Sequence, residues 1–149
     1  MKILDKVVLI TGAAGFIGKH LIRNISNEYK VICFDLSFSN DFINEFGSTV
    51  TLVKGNISNK YIIKDTVIKY KPDYVFHLAA QAIVFKSIKD PLTNWQTNVI
   101  GFLNILMGLN KLKKKCVGIL ITSDKCYKNL NRRISYKETD ELGGLDPYS

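Results

Sequence analysis

Short runs of apolar, mostly β-branched residues alternate along this chain with longer segments in which apolar positions recur every three or four residues. The runs are Val7–Ile10, Val31–Phe34, Thr49–Val53, Tyr74–Leu78 and Val117–Ile121. Strands that are apolar on both faces must be covered on both sides, which marks a parallel sheet. Three helices are predicted between them. Phe16–Ile25 repeats at Phe16, Ile17, Leu21, Ile22 and Ile25, and Asn59–Tyr70 at Ile62, Ile63, Val67 and Ile68 with Ser58 as N-cap. The longest, Asn94–Leu112, carries Trp95, Val99, Phe102, Leu103, Leu106 and Leu109 along one side. We expect this stripe to form core or a dimer face. Strand and helix in alternation predict an α/β fold: a Rossmann-type, doubly wound parallel sheet in three α/β/α layers with right-handed crossovers. From Lys125 onward the chain reads as polar loop.

Length and composition narrow the function classes. With 149 residues, 46% hydrophobic and 23% charged, the chain suits one ordinary domain and not a disordered or collagen-like one. No apolar run approaches the ~20 residues of a bilayer span, so no membrane partner is expected. The net charge of +8 is scattered. Its tight cluster, Lys111 with Lys113–Lys115, reads as the last turn of a helix, where cations offset the dipole. Aromatic residues do not interleave with it, so nucleic acid is not expected as a partner either. Three cysteines without a paired spacing exclude a disulfide framework and a zinc site, and Cys33 and Cys116 lie in apolar runs as buried thiols. Met1–Lys6 has no apolar leader segment, so the expected location is the reducing cytoplasm.

The chemistry begins at the first strand's end. Gly12, Gly15 and Gly18 follow it directly and open the first helix. The first glycine permits the tight turn, the second lets backbone N–H groups approach a pyrophosphate, and the third lets helix pack on strand. The helix N-terminus favours the phosphate charge. Asp35 ends the second strand, 17 residues past Gly18, near the ~20 expected of an acid that binds a ribose. It can accept from both ribose hydroxyls and repels a 2′-phosphate; Leu36 and Ser37 follow it, not Arg. NAD is the cofactor expected, rather than NADP. A nucleoside-triphosphate P-loop is excluded, because His20 and Ala13 stand where it needs Ser/Thr and Gly.

The three-residue glycine spacing resembles that of the extended short-chain dehydrogenases/reductases. Further motifs agree: His77-Leu-Ala-Ala-Gln81 after the fourth strand, Thr97-Asn-Val-Ile-Gly101 in the long helix and Gly55-Asn-Ile57. The resemblance implies cofactor contacts from Gly12, Gly15, Phe16, Ile17, Gly18, Asp35, Ile57, Leu78, Ala79, Ala80 and Gln81. It also implies that Asn98 shapes the active-site backbone and that Asn56 replaces the family's adenine-contacting Asp. His77 and His20 are read as a hydrogen-bonding strand-end residue and a helix-surface residue, and no metal is expected.

Ile121-Thr-Ser-Asp-Lys-Cys-Tyr127 and Tyr136–Ser149 resemble the CDP-glucose 4,6-dehydratases of that superfamily. Its epimerases usually lack an acid–base pair after the strand-five Ser/Thr, and the dTDP-glucose dehydratases carry Asp-Glu. The resemblance implies four catalytic residues. Tyr148 takes the C4 hydroxyl proton of the sugar as hydride leaves C4. Ser123 hydrogen-bonds the C4 oxygen, Lys125 removes the C5 proton, and Asp124 protonates the departing C6 hydroxyl. That chemistry needs a lysine lowered and an aspartic acid raised in pKa, as burial does. The Lys of the family's Tyr-x-x-x-Lys would fall at position 152, past Ser149. Residues 1–149 therefore resemble the NAD-binding part, ending just after the catalytic Tyr, without the half that holds most of the nucleotide sugar. The expected substrate is a nucleotide sugar, CDP-glucose first, and the full-length form is expected to be a homodimer. A non-catalytic NAD-binding module and a nucleotide-sugar epimerase or reductase are the alternatives.

Overall fold

The computed structural model describes residues 5–131, 133 and 135–149. The first four residues, on which the leader-peptide reading partly rests, lie outside the described residues. Five strands, β1 (Val7–Thr11), β2 (Lys30–Asp35), β3 (Thr51–Lys54), β4 (Tyr74–His77) and β5 (Val117–Leu120), form one parallel sheet in the order β3-β2-β1-β4-β5. The order reverses at β1, whose Thr11 stands opposite Phe34 on one side and His77 on the other. That reversal opens a crevice at the carboxyl ends of β1 and β4.

Alternation along β1 feeds two cores. Val8 and Ile10 pack with Ile22 of α1 (Phe16–Ile25) and with Phe42 and Phe46 of α2 (Asn40–Phe46). Leu9 packs on the opposite face with Ile63 and Val67 of α3 (Lys60–Tyr70) and Ile105 of α6 (Gly101–Leu109). Burial pushes the Cys33 thiol up to about 12, so it is inert. Cys116, expected to be buried, is half-buried at the sheet's lower edge.

Several boundaries differ from the sequence reading. Asn59, not Ser58, caps α3, accepting from Tyr61 N and Ile62 N. The stretch read as one helix from Asn94 begins earlier, at α5 (Pro91–Trp95), where the Asp90 carboxylate accepts from Thr93 N at 3.0 Å. It then widens into a π-helical turn, Gln96–Ile100, and continues as α6. The lysine cluster lies beyond α6, not in its last turn. There Lys114 pairs with Asp73 at 2.9 Å, and Asp73 also accepts from Val7 N. Helices α2 and α4 (Val84–Lys89) occupy stretches to which the hydrophobic pattern assigns no element.

The apolar stripe of the long helix is core only in part: Leu109 packs against the core and Phe102 lies half-buried on His77, whereas the rest faces outward. Trp95 is 55% exposed, and Val99, Leu103 and Leu106 are also on the surface. The buried side carries Asn94, Gly101, Asn104, Ile105 and Gly108. A Cβ at Gly101 would come within 2.7 Å of Ile57, so small residues let α6 sit close to its neighbours. Among the described residues no helix is long and apolar enough to cross a membrane.

Candidate functional site

The crevice at the switch point is a cleft of about 470 Å³, lined by Gly12, Ala14, Gly15, Asp35, Asn56, Ile57, Leu78, Ala79 and Ala80 among others. Gly12 has φ +69°, and a Cβ there would stand 2.7 Å from Ala79 N. Only glycine fits both the left-handed backbone and the close approach of the β4 loop. Gly18 lies beneath the cleft, where a Cβ would meet the carbonyl oxygens of Gly12 and Ala13 at 2.5 Å. The first turn of α1 has neither a capping side chain nor an acidic residue, which leaves its N–H dipoles open to an anion. Phe16 and Ile17 are exposed on that turn.

Asp35 has a role that spacing alone does not reveal. Its Oδ2 accepts from Ala14 N at 2.8 Å and its Oδ1 from Leu36 N at 2.7 Å. The carboxylate thus braces the glycine turn against the end of β2, and each oxygen retains lone-pair capacity toward the cleft. Asn56 turns its Oδ1 inward to Ser58 N and Oγ, at 2.9 and 2.8 Å. Its amide N–H groups remain available to a ligand, the reverse of an aspartate's acceptor-only edge. Thr93 and Thr97 also line the cleft, and sequence reasoning missed them as site residues. Their four-residue spacing on a helix is the signal that could have found them. The cradle therefore suits a dinucleotide: glycines at the turn, an open helix terminus and an acid at the far side.

Gln81 and Asn98 do not line the cleft but lock its upper rim. Asn98 accepts from Gln81 N at 2.8 Å and donates to Gln81 O at 3.0 Å. Below the rim, Thr11 Oγ1 and His77 Nδ1 lie 2.7 Å apart. His77 is 2% exposed, and burial lowers its pKa from 6.5 to about 4. Between those values the unfolded chain binds a proton that the folded chain refuses. Stability should therefore be flat above pH 6.5 and fall as pH drops toward 4, by roughly 3 kcal/mol at ~1.4 kcal/mol per pH unit. Urea unfolding at pH 7.5 and 5.0 should register about 2 kcal/mol of this, the part lost over the ~1.5 pH units below 6.5. A His77→Gln chain, which cannot take up the proton, should show a smaller drop.

A second cavity opens past β5. Ser123 caps a short 3-10 turn, Asp124–Cys126, its Oγ accepting from Lys125 N at 3.1 Å and lying 3.4 Å from Asp124 Oδ1. The loop beyond is better organised than its polarity implies. Lys128 N donates to Glu141 O, Gly143 N donates to Cys126 O, and Tyr127 stacks on Tyr136 with ring centres 5.0 Å apart. This fold-back returns the chain so that Asp146 and Ser149, on either side of half-buried Tyr148, line the same cavity as Asp124 and Lys125. Asp124 and Lys125 are exposed. Among the described residues, their neighbours do not supply the desolvation that elimination chemistry requires of them.

Comparison with known proteins agrees with this geometry. The family model for GDP-mannose 4,6 dehydratase matches residues 9–149. CDP-glucose 4,6-dehydratase of Salmonella typhimurium is 36% identical over 95 residues, which cover 64% of this chain and 26% of the relative. UDP-glucose 4-epimerase of Rhizobium leguminosarum bv. trifolii is 30% identical over 145 residues, covering 96% of this chain and 43% of the relative. The crystal structure of UDP-glucose 4-epimerase from Brucella ovis in complex with NAD superposes with a TM-score of 0.82 at 26% identity, over 96% of this chain and 43% of that one. The chain spans less than half the length of these relatives. Fold, cleft and family match lead to one conclusion: the chain belongs to the GDP-mannose 4,6 dehydratase family, within the superfamily of NAD-dependent nucleotide-sugar dehydratases and epimerases.

Proposed function

We propose that residues 1–149 form the NAD-binding part of a nucleotide-sugar 4,6-dehydratase, with CDP-glucose as first candidate substrate. The observation that carries the reading is Asp124 and Lys125, on the turn that Ser123 caps, lining a cavity shared with Asp146 and Ser149, between which Tyr148 stands in the sequence. When bound, NAD would accept hydride from the sugar's C4 and return it at C6. The chain's own residues hold the dinucleotide and move protons. Gly12, Gly15 and the first turn of α1 take the pyrophosphate, Asp35 the adenosine ribose, and Asn56 the adenine edge. Tyr148 receives the C4 hydroxyl proton, with Ser123 hydrogen-bonded to the same oxygen. Lys125, neutral, removes the C5 proton; Asp124, protonated, gives a proton to the departing C6 hydroxyl.

An epimerase is the second reading, favoured by the epimerases among the relatives and neighbouring structures. It needs Tyr148 and Ser123 but not the Asp124–Lys125 pair. A chimera joining residues 1–149 to the C-terminal half of the Salmonella relative separates the two. We expect it to convert CDP-glucose to the 4-keto-6-deoxy product, read at its alkaline absorbance band. A C4-epimerised sugar with no such band would overturn the dehydratase reading. The exposed Trp95, Val99, Leu103 and Leu106 support the homodimer as the assembly of the full-length form.

A further inference from the structure

Asn94 is 2% exposed, yet it is a polar residue on the inner side of a helix. Its Nδ2 donates to the carbonyl of Pro147 at 2.7 Å, across 53 residues of sequence. Its Oδ1 accepts from Asn98 Nδ2 at 3.0 Å and from Gln81 Nε2 at 3.3 Å. The partners fix the amide's orientation. Pro147 offers only an acceptor there, and Asn98 and Gln81 offer donors, so a flipped amide would forfeit all three bonds.

The Pro147 carbonyl is half of the peptide group that ends at Tyr148. The other half, Tyr148 N–H, donates to Asp146 Oδ1 at 2.9 Å. The peptide that carries the tyrosine is therefore held at both ends, by Asn94 on the helix and Asp146 on the loop. Asn94 also joins that peptide to Asn98, whose amide grips both backbone groups of Gln81 at the end of the β4 loop. The flanking Thr93 and Thr97 face the cofactor cleft from the same helical stretch.

We propose that Asn94 is a positioning residue for Tyr148: it ties the peptide before the tyrosine to the Asn98–Gln81 rim, so that the cofactor cleft and the tyrosine are held as one unit. The role assigned to Tyr148 in proton transfer comes from the proposed function, and this inference rests on it for its catalytic meaning. The physical link does not depend on that role.

Nuclear magnetic resonance on the intact chain, with and without NAD, tests the link. Asn94→Asp keeps the acceptor for Asn98 and Gln81 but removes the donor to Pro147. The Tyr148 amide should exchange at least tenfold faster in this variant, while the Gln81 amide is unchanged. Addition of NAD should shift the Tyr148 ring signals in the wild type and leave them still in Asn94→Asp. Pro147→Ala retains the carbonyl and should retain the shift. If Asn94→Asp does not fold, Asn94→Ser serves, because its hydroxyl is too short to reach Pro147. A Tyr148 ring that responds to NAD equally in wild type and variant would overturn the positioning role. Failure of the parent reading shows elsewhere: a Tyr148→Phe chimera with full turnover would remove the tyrosine's catalytic role and leave the amide-exchange result intact.

Discussion

Changing Tyr148 to phenylalanine in the chimera of family length is expected to abolish the first oxidation, whereas changing Lys125 to methionine should leave that step and block the elimination. The division comes from where each side chain sits. Lys125 lies on the turn directly after β5, beside Asp124, and Tyr148 enters on the returning loop that Asn94 and Asp146 hold. Loss of the phenol oxygen removes the group proposed to take the C4 proton, so no reduced-nicotinamide absorbance should appear on mixing with CDP-glucose. Lys125→Met should still give that absorbance in a burst, but exchange of the C5 proton with solvent should slow by ~10²–10⁴-fold, the usual contribution of a general base. Stopped-flow absorbance and deuterium uptake measure the two steps. A Lys125→Met chimera that eliminates water at the wild-type rate would take the C5 base away from Lys125 and move the epimerase reading ahead.

The cofactor cleft should be as sensitive to one added side chain. Gly18→Val is expected to weaken NAD binding by more than a hundredfold and to lower the melting temperature. The contacts its Cβ would make, at 2.5 Å, are to the carbonyl oxygens of Gly12 and Ala13, which belong to the turn itself and cannot rotate away. Relief requires α1 to move off β1. Overpacking of this kind costs on the order of 1–3 kcal/mol in stability, and it displaces the turn that would hold the pyrophosphate. Gly118→Ala is the control, since its Cβ would sit at an ordinary 3.5 Å from Leu109. Asp35→Ala in the same titration should lose roughly 1.5–3 kcal/mol of NAD affinity and part of the discrimination against NADP. Calorimetry with both dinucleotides reads all three variants, and a Gly18→Val chain binding NAD within threefold of wild type would contradict the packing argument.

The first half of the cleft is legible in the sequence because one local signal after another agrees. A buried strand, three glycines, an amphipathic helix, a second strand and an acid each need only their neighbours to be recognised. Spacing finds Asp35 but not its grip on Ala14 N, since a hydrogen bond 21 residues distant leaves no pattern. The long helix shows the opposite case. Hydropathy assigns its inner face to Trp95, Val99 and Leu106, yet glycine and asparagine share that face with Ile105. Close backbone approach at Gly101 and hydrogen bonds from Asn94, Asn98 and Asn104 stand there beside the aliphatic contacts of Ile105. The widened turn at Gln96–Ile100 also shifts the helical phase, which a fixed period of 3.6 residues cannot follow. Helix α2 escapes for another reason: its start depends on Ser39 Oγ accepting from Phe42 N, and two phenylalanines, Phe42 and Phe46, are all that anchor seven residues.

The strand order has a consequence for synthesis on the ribosome. A sheet ordered β3-β2-β1-β4-β5 places the first strand made at its centre. Once residue 54 has emerged, β1, β2 and β3 can pair with α1 and α2 covering one face. The other side of β1 must then wait for Tyr74–His77, with Leu9 and Ile32 uncovered until α3 arrives and Ile105 later still. Parallel pairing cannot be hurried by a hairpin, because each crossover must be complete before its strand can dock. The nascent chain therefore carries an open, apolar sheet edge for about twenty residues of elongation, from β3 to β4, ~1–4 s at 5–20 residues per second. The stretch made in that interval carries Lys60, Lys64, Lys69 and Lys71, charges of the kind that discourage an exposed edge from pairing with another chain.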